Sequence, residues 1–167
     1  LIKGIIPDKS LHITDIASGV CVEPILNQNC RTITDQEQAK IYFKQLFIHS
    51  DAELPDLVIG YDLFHRLQKP VGSIVSMTTP IGVAGARGNA PKRMQFRIAG
   101  VFHMGMHEFD TRLAYTTLES TQRLLGLGNA VHGIEVRVKH PDSVIHSRKH
   151  VLNAIGRYPY RVLDWHE

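Results

Sequence analysis

The stretch from Ser73 to Met106 constrains the fold of this chain more than any other. Its two arms are rich in β-branched, aromatic and other residues that favour extended structure, which predicts a pair of strands. Between the arms, one run of twelve residues holds six that break regular structure: Pro80, Gly82, Gly85, Gly88, Asn89 and Pro91. That density predicts a long, irregular and exposed loop rather than a tight hairpin turn.

The same stretch lies in a segment without acidic residues. From Leu63 to His107 the sequence has six Lys or Arg and no Asp or Glu, whereas residues 1–62 and 108–167 carry net formal charges of −4 and +1. A projecting loop with cationic residues is typical of a partner-binding surface. A nucleic-acid interface is not indicated, because the basic patch is local and lacks aromatic side chains positioned to stack on bases.

Length and hydropathy indicate a folded domain of ordinary composition. A chain of 167 residues can form one domain or two small ones. With a mean hydropathy of −0.11, the sequence has no apolar run near the 18 to 20 residues or so that a membrane helix needs. Because the chain begins at Leu1 rather than at Met, we expect it to be an excised piece or a processed product of a longer protein.

Periodicity predicts helices and strands in mixture, an α+β class. Apolar residues at helical spacing predict a helix over 35–48, opened by a capping box of Thr34 and Glu37. Further elements are predicted as strands over 1–6, 54–59 and 112–116, and as helices over 61–68 and 117–127.

The last forty residues or so predict a unit of their own. Val131–Lys139 alternates apolar and charged residues as a half-buried strand does. A helix capped by Asp142 follows, and a strand over Tyr158–Trp165 completes the strand, helix and strand order of a split βαβ element.

Two pairs of histidines raise the question of a metal site. His103 and His107 stand four apart before Glu108, and a metal-dependent enzyme using these three residues is one alternative. Gly105 and the exit from a strand make a helical arrangement unfavourable there, and Arg148 and Lys149 make the His146–His150 pair cationic. We therefore predict neither a metal nor another cofactor. With no nucleophile or phosphate-loop motif either, the sequence predicts a non-enzymatic protein.

The two cysteines, Cys21 and Cys30, leave two interpretations open. In an oxidising compartment they can form a disulfide that closes a short loop, whereas in a reducing compartment they would be buried thiols. Two cysteines alone do not supply the four ligands of a structural zinc site.

Several stretches, taken in order, resemble a known family. They are GIIP, VIGYDLFHRLQKPVGS, PKRMQFRIAGVFHMGMHEFD, LAYTTLESTQRLLG, VHGIEVRVKHPDSV and YRVLDW. Together they resemble the extracytoplasmic domain of the LolC/LolE-type lipoprotein-releasing permeases, which belong to the MacB/FtsX-like group of ABC transporters. The resemblance covers residues 54–167 and, more weakly, 1–10.

This resemblance implies a fold and a location. The fold would combine a partial porter-like lobe of residues 1–8 and 130–167, built on the split βαβ element, with an inserted, mostly β, Sabre-like lobe of residues 9–129. The chain would be a periplasmic domain of an inner-membrane protein in a Gram-negative bacterium. Its transporter would contain a second permease subunit and a cytoplasmic ATPase subunit.

The resemblance also implies a role for the hairpin loop, residues 79–93. In LolC-type subunits a protruding loop at this place hooks the periplasmic lipoprotein carrier LolA, which here assigns Thr79–Pro91 as the hook and Lys92 and Arg93 as its base. The residues predicted to touch the carrier are Pro80, Ile81, Val83, Arg87, Pro91, Lys92, Arg93 and Arg97. The alternative within the same group is a MacB- or FtsX-like domain that couples ATP-driven motion to efflux or to a cell-wall hydrolase.

Overall fold

The computed structural model describes residues 1–48, 53–85, 88–140, 143–156 and 161–163, and for 80–85 and 88–90 it describes the backbone alone. By its internal contacts the chain divides into two compact units, Leu1–Ile134 and Glu135–Glu167. The hairpin lies in the first unit.

Among the described residues, a five-stranded mixed sheet forms the centre of the first unit. The strands are β1 (Ile2–Ile5), β2 (Asp56–Gly60), β3 (Ile74–Gly85), β4 (Gly88–Phe102) and β5 (Ala114–Thr117), and they lie in the order β1-β5-β2-β4-β3. β1 is parallel to β5 and β2 is parallel to β4, whereas β2 and β5, like β3 and β4, are antiparallel. The predicted α+β class is confirmed.

In the described part of the first unit, helices lie between the strands and after the last of them. They are α1 (Pro7–Ser10), a 3₁₀ turn (Ile16–Gly19), α2 (Gln36–Gln45), α3 (Tyr61–Leu67), α4 (His107–Arg112) and α5 (Leu118–Leu125). The predicted cap of α2 at Thr34 is wrong, because the side chain of Asp35 accepts the N–H of Gln38 at 2.8 Å and starts the helix one residue later. Asp and Thr are both good N-caps, and the sequence pattern did not distinguish the two neighbours.

The central strand β2 is buried on both sides of the sheet. All five of its residues are buried. Val58 packs in one core cluster with Phe43 of α2, whereas Leu57 and Ile59 pack in a second cluster with Phe64 of α3. Alternate side chains of a strand point to opposite faces, so each face of the sheet has its own hydrophobic core.

β3 and β4 form one long hairpin ladder, and the predicted irregular loop is therefore wrong. The register runs from Ile74↔Arg97 to Thr79↔Lys92 and resumes from Val83↔Ala90 to Gly85↔Gly88. The register shifts between Thr79 and Val83, and both Pro80 of β3 and Pro91 of β4 lie in the stretch where it shifts. Proline, which cannot donate to the ladder, is tolerated at such an irregularity, and so the breakers did not end the strands.

The two ends of the chain differ from the predicted arrangement. β1 pairs with β5 inside the first unit, while the predicted grouping of residues 1–8 with 130–167 into one lobe stays a prediction. The predicted strand over Val131–Lys139 is wrong, since those residues have no strand and Ile134 and Val136 are exposed. Alternation forms a strand only where a partner strand accepts its hydrogen bonds, and the described residues of the second unit contain none.

The second unit contains one described helix, α6 (Val144–Ile155). None of its residues is buried; Ile145, for example, is 70% exposed. The predicted cap Asp142 and most of the predicted strand over Tyr158–Trp165 lie outside the described residues.

Cys21 and Cys30 are joined by a disulfide, which closes a loop against α3. Cys21 is fully buried in the second core cluster. At the far end of the loop, the N–H of Asn27 donates to Nδ1 of His65 at 3.1 Å, and the Tyr61 hydroxyl donates to the carbonyl of Gln28 at 3.0 Å. The loop is thus held both by its own bridge and by two hydrogen bonds to α3.

Replacing both cysteines by alanine is expected to lower the free energy of unfolding by about 2–3 kcal/mol, because a cross-link of this loop length restricts the unfolded chain. Urea denaturation of the two proteins measures the difference. Dithiothreitol should destabilise the natural chain by a similar amount and leave the C21A/C30A variant unchanged, since the sequence has no other cysteine. Equal stability of the natural chain and the C21A/C30A variant in the absence of dithiothreitol would contradict the structural role of the bridge.

Candidate functional site: the basic hairpin

The β3–β4 hairpin extends beyond the rest of the sheet. β2 pairs with β4 only from Arg97 to Phe102, so in the described structure the outer parts of β3 and β4 pair only with each other. The inner face of these outer parts contacts α5. Past the Thr79↔Lys92 pair, residues 80–85 of β3 reach about 20 Å further at the usual rise of a strand. This geometry presents the described residues 80–85 and 88–91 away from the sheet.

The base of the hairpin has an inner and an outer face. On the inner face Thr79 and Phe96 are buried, and Met77 and Met94 pack against the second core cluster. On the outer face the exposed side chains follow the opposite alternation; they are Ile74, Ser76, Thr78, Pro91, Arg93 and Gln95. Thr78 faces Arg93 and Ser76 faces Gln95, so the middle of the outer face is polar, while Ile74 beside Arg97 adds an exposed apolar side chain at its inner end.

Arg97, one of the predicted contact residues, forms an ion pair within the sheet. Its Nε and Nη2 lie 2.9 and 2.7 Å from Oδ1 of Asp56, the first residue of β2. The Asp56 side chain is 2% exposed and that of Arg97 is 31% exposed. A carboxylate at that depth is stable only with a charged or hydrogen-bonding partner, so Arg97 has a structural role.

Lys92, the second predicted base residue, points to the inner face. Its Nζ donates a hydrogen bond to the backbone carbonyl of Arg123, in the last turn of α5, and the contact is partly buried. The predicted contact cations whose side chains are described therefore differ in their surroundings. Arg93 is exposed on the outer face, whereas Lys92 and Arg97 bind groups of the protein itself.

The remaining predicted contact residues lie on the hairpin itself. Pro91 is exposed at the start of the base. Pro80, Ile81 and Val83 belong to β3, where only the backbone is described. Arg87 lies outside the described residues.

Sequence reasoning missed Asp56 and the outer polar face. Asp56 precedes Arg97 by 41 residues, so the acid-free segment gave no sign of the pairing. The signal available was a single carboxylate at the start of an otherwise apolar strand, where a buried charge requires a partner. The outer face follows from the strand alternation once the register is known.

The two histidines of the HMGMHEFD segment each lie near a carboxylate: His103 just before the turn that leads into α4, and His107 at the first residue of α4. Nε2 of His103 lies 3.5 Å from Asp110, whose other carboxylate oxygen accepts the N–H of Met104 at 2.8 Å. His107 lies 3.3 Å from Asp62 of α3. In the ranges that the structure describes, no group of three His, Cys, Asp or Glu is arranged to hold a metal. Nor is any described helix long and apolar enough to cross a membrane.

Comparison with known proteins gives two curated relatives and no matching family model. The chain is 27% identical over 110 residues to "Lipoprotein-releasing system transmembrane protein LolC" of Neisseria meningitidis serogroup B. It is 25% identical over 116 residues to the protein of the same name from Xylella fastidiosa. The resemblance to LolC-type permeases is confirmed.

Both LolC matches cover a much larger share of this chain than of the LolC protein. Each covers 66% of this chain but 26% of the relative, so the chain spans about a quarter of the length of the LolC proteins it matches. The similarity thus concerns one part of a LolC protein, and what a whole LolC protein does is carried to this chain only as a proposal.

Proposed function

We propose that the chain is the periplasmic domain of a permease subunit in a lipoprotein-releasing ABC transporter of the inner membrane. In this proposal the domain passes lipoproteins to a soluble, LolA-like periplasmic carrier and catalyses no reaction itself. ATP hydrolysis belongs to a cytoplasmic subunit, and a second permease subunit completes the transporter. The similarity to LolC supports the transporter class.

The observation that carries the carrier-binding part is the projecting hairpin. The described residues 80–85 and 88–91 extend past the last pair of the hairpin base, in a segment of the sequence without a carboxylate. A two-stranded arm outside a sheet adds little to a hydrophobic core, so its length is better explained by contact with a partner.

The proposed contact combines apolar residues of the arm with a charge at its base. Pro80, Ile81, Val83 and Pro91 would enter the apolar, lipid-binding mouth of the carrier, and Arg87 would add a positive charge to the contact. Arg93 would attract acidic or carbonyl groups at the rim of that mouth. Charges at a rim mainly raise the rate of association, whereas buried apolar contacts determine most of the affinity.

The lobe assignment completes the proposal. Residues 9–129 would form the Sabre-like lobe that carries the hairpin, and residues 1–8 and 130–167 would belong to a porter-like lobe. The disulfide between Cys21 and Cys30 fits an oxidising periplasm.

Shortening the hairpin tests this function directly. Replacing residues 80–91 by Asn-Gly closes the ladder at the Thr79↔Lys92 pair with a two-residue turn suited to a hairpin. We expect affinity for the purified carrier, measured by biolayer interferometry, to fall by at least about tenfold because the apolar contacts are removed. The Ile41→Ala variant, altered at an exposed position of α2, serves as the control.

Unchanged affinity of the shortened protein would refute the proposed role of the arm. Circular dichroism and urea denaturation should show that the shortened protein retains its fold, since every described core residue lies outside residues 80–91.

A further inference from the structure

Lys92 stands at the point where the hairpin leaves the body of the first unit. Its neighbour across the ladder is the buried Thr79, and the register breaks immediately beyond this pair. Toward the sheet, Met94 and Phe96 continue the inner face into the second core cluster. Lys92 is therefore the outermost residue of the regular base, five positions beyond the last β4 residue that pairs with β2.

The group that Lys92 binds is suited to a cation. Carbonyls in the last turn of a helix lack intrahelical partners and lie at the negative end of the helix dipole. α5 ends at Gly126 in the left-handed conformation, and its N–H approaches the Arg123 carbonyl only at 3.4 Å. The ammonium group of Lys92 supplies a second and charged donor to that carbonyl.

The helix that receives this bond is itself fixed on the sheet. Leu124 is buried in the second core cluster. On the same helix, Thr121 lies so close to Gly4 of β1 that an added Cβ would come within 2.6 Å of the threonine hydroxyl. A bond to α5 therefore connects the hairpin base to the body of the unit rather than to a loose segment.

A two-stranded ladder does not by itself fix the direction in which it projects from the rest of the sheet. An isolated pair of strands is marginally stable and twists freely, so an arm of this kind needs support at its base. We propose that Lys92 is a positioning residue for the carrier-binding arm: its bond to the end of α5 sets the direction in which the described residues 80–85 and 88–91 project. This role rests on the proposed function, and it separates Lys92 from the adjacent Arg93, which contacts the partner.

The first test measures the arm without any carrier. Hydrogen exchange of the hairpin amides is compared in the natural chain, in the Lys92→Met variant and in the Arg93→Met variant. Lys92→Met keeps a long apolar stem but loses the charge-assisted bond, so we expect exchange of base amides over 74–79 and 92–96 to rise about tenfold. Arg93→Met, changed at the next residue on the outer face, should stay within about twofold.

Amides of β2 and α3 serve as an internal reference. If they exchange as in the natural chain, the variant has not unfolded globally and the local change is interpretable. Lys92→Arg, which keeps a cation and N–H donors, should restore slow exchange of the base. Exchange in Lys92→Met within about twofold of the natural chain would overturn the proposal.

The second test uses the carrier at several salt concentrations. A charge that contacts the partner makes the larger contribution to the salt dependence of the association rate, and a partly buried charge already bonded to a carbonyl makes a smaller one. We expect Arg93→Met to flatten that dependence, and Lys92→Met to weaken affinity about tenfold with a smaller change in the dependence. An equal loss of salt dependence in Lys92→Met would show that Lys92 is a contact residue.

The two tests keep this inference distinct from the proposed function. If the natural chain shows no affinity for the carrier, the proposed function fails, and the exchange experiment still decides whether Lys92 anchors the hairpin.

Discussion

Replacing Arg97 by methionine is expected to lower the free energy of unfolding by about 3 kcal/mol. The change leaves the carboxylate of Asp56, which is 2% exposed, without the guanidinium group that lies 2.7 Å from it. Removing one partner of a buried ion pair costs roughly 3–5 kcal/mol, and the lower end applies because the Arg97 side chain is 31% exposed. Urea denaturation, monitored by circular dichroism, measures the loss of unfolding free energy.

Two matched variants show whether the loss of the guanidinium group beside Asp56 is the cause. Arg93→Met removes the same charge four residues away on the exposed face and should change stability by less than about 0.5 kcal/mol. The double variant Asp56→Leu with Arg97→Met removes both charges, and such replacements are often neutral or stabilising. A loss below about 1 kcal/mol in Arg97→Met alone would mean that the pair is not structural.

Truncation of Phe43 to alanine should lower the free energy of unfolding by about 3–5 kcal/mol. Phe43 is fully buried in the first core cluster, with its ring centroid 5.3 Å from that of Phe47. The deletion removes apolar contact area and leaves a cavity that the surrounding sheet and helix fill only in part. The midpoint and slope of urea denaturation separate a loss of stability from a change in the unfolded state.

Ile41, two residues away on the same helix, is the control. It is 57% exposed, so Ile41→Ala should cost well under 1 kcal/mol. Similar losses for the two variants would mean that α2 is not seated on the sheet as described. The pair of variants also tests the segment 11–53. The resemblance to a known family does not cover this segment, yet it supplies seven of the twelve buried residues of the first core cluster.

Elements with a strong local signal were predicted from the sequence. The helix predicted over 117–127 is observed as Leu118–Leu125, with Thr117 as the cap and Gly126 as the stop. The apolar strand predicted over 54–59 is observed at Asp56–Gly60. In both cases the determining residues lie within the element itself, so the sequence window contains the whole cause.

Features that depend on distant residues were not predicted. The hairpin ladder continues through Pro80 and Pro91 because the register shifts there, and a register is a property of two strands. The pairing of Arg97 with Asp56 joins separate strands, and the bond from Lys92 joins a strand to a helix. For Val131–Lys139 the alternation was present but a partner strand was absent from the described residues, so the local pattern predicted too much.

The candidate site illustrates the same division. Charge composition located the hairpin, and the resemblance supplied its role. Neither the charge composition nor the resemblance shows that adjacent side chains of a strand point in opposite directions. Lys92 and Arg93 were therefore predicted to act alike. Strand alternation places them on opposite faces, and the two different roles proposed for them rest on that difference.

The parallel pairing of β1 with β5 has a consequence for the order of folding. Leu1 and Arg112, at the start of the paired segments, are 111 residues apart. Closing that loop first would cost about 4 kcal/mol of chain entropy by the usual logarithmic scaling. The local β3–β4 ladder carries no such penalty and forms early, so the edge strand β1 is expected to dock last and to be the first to detach when the sheet opens.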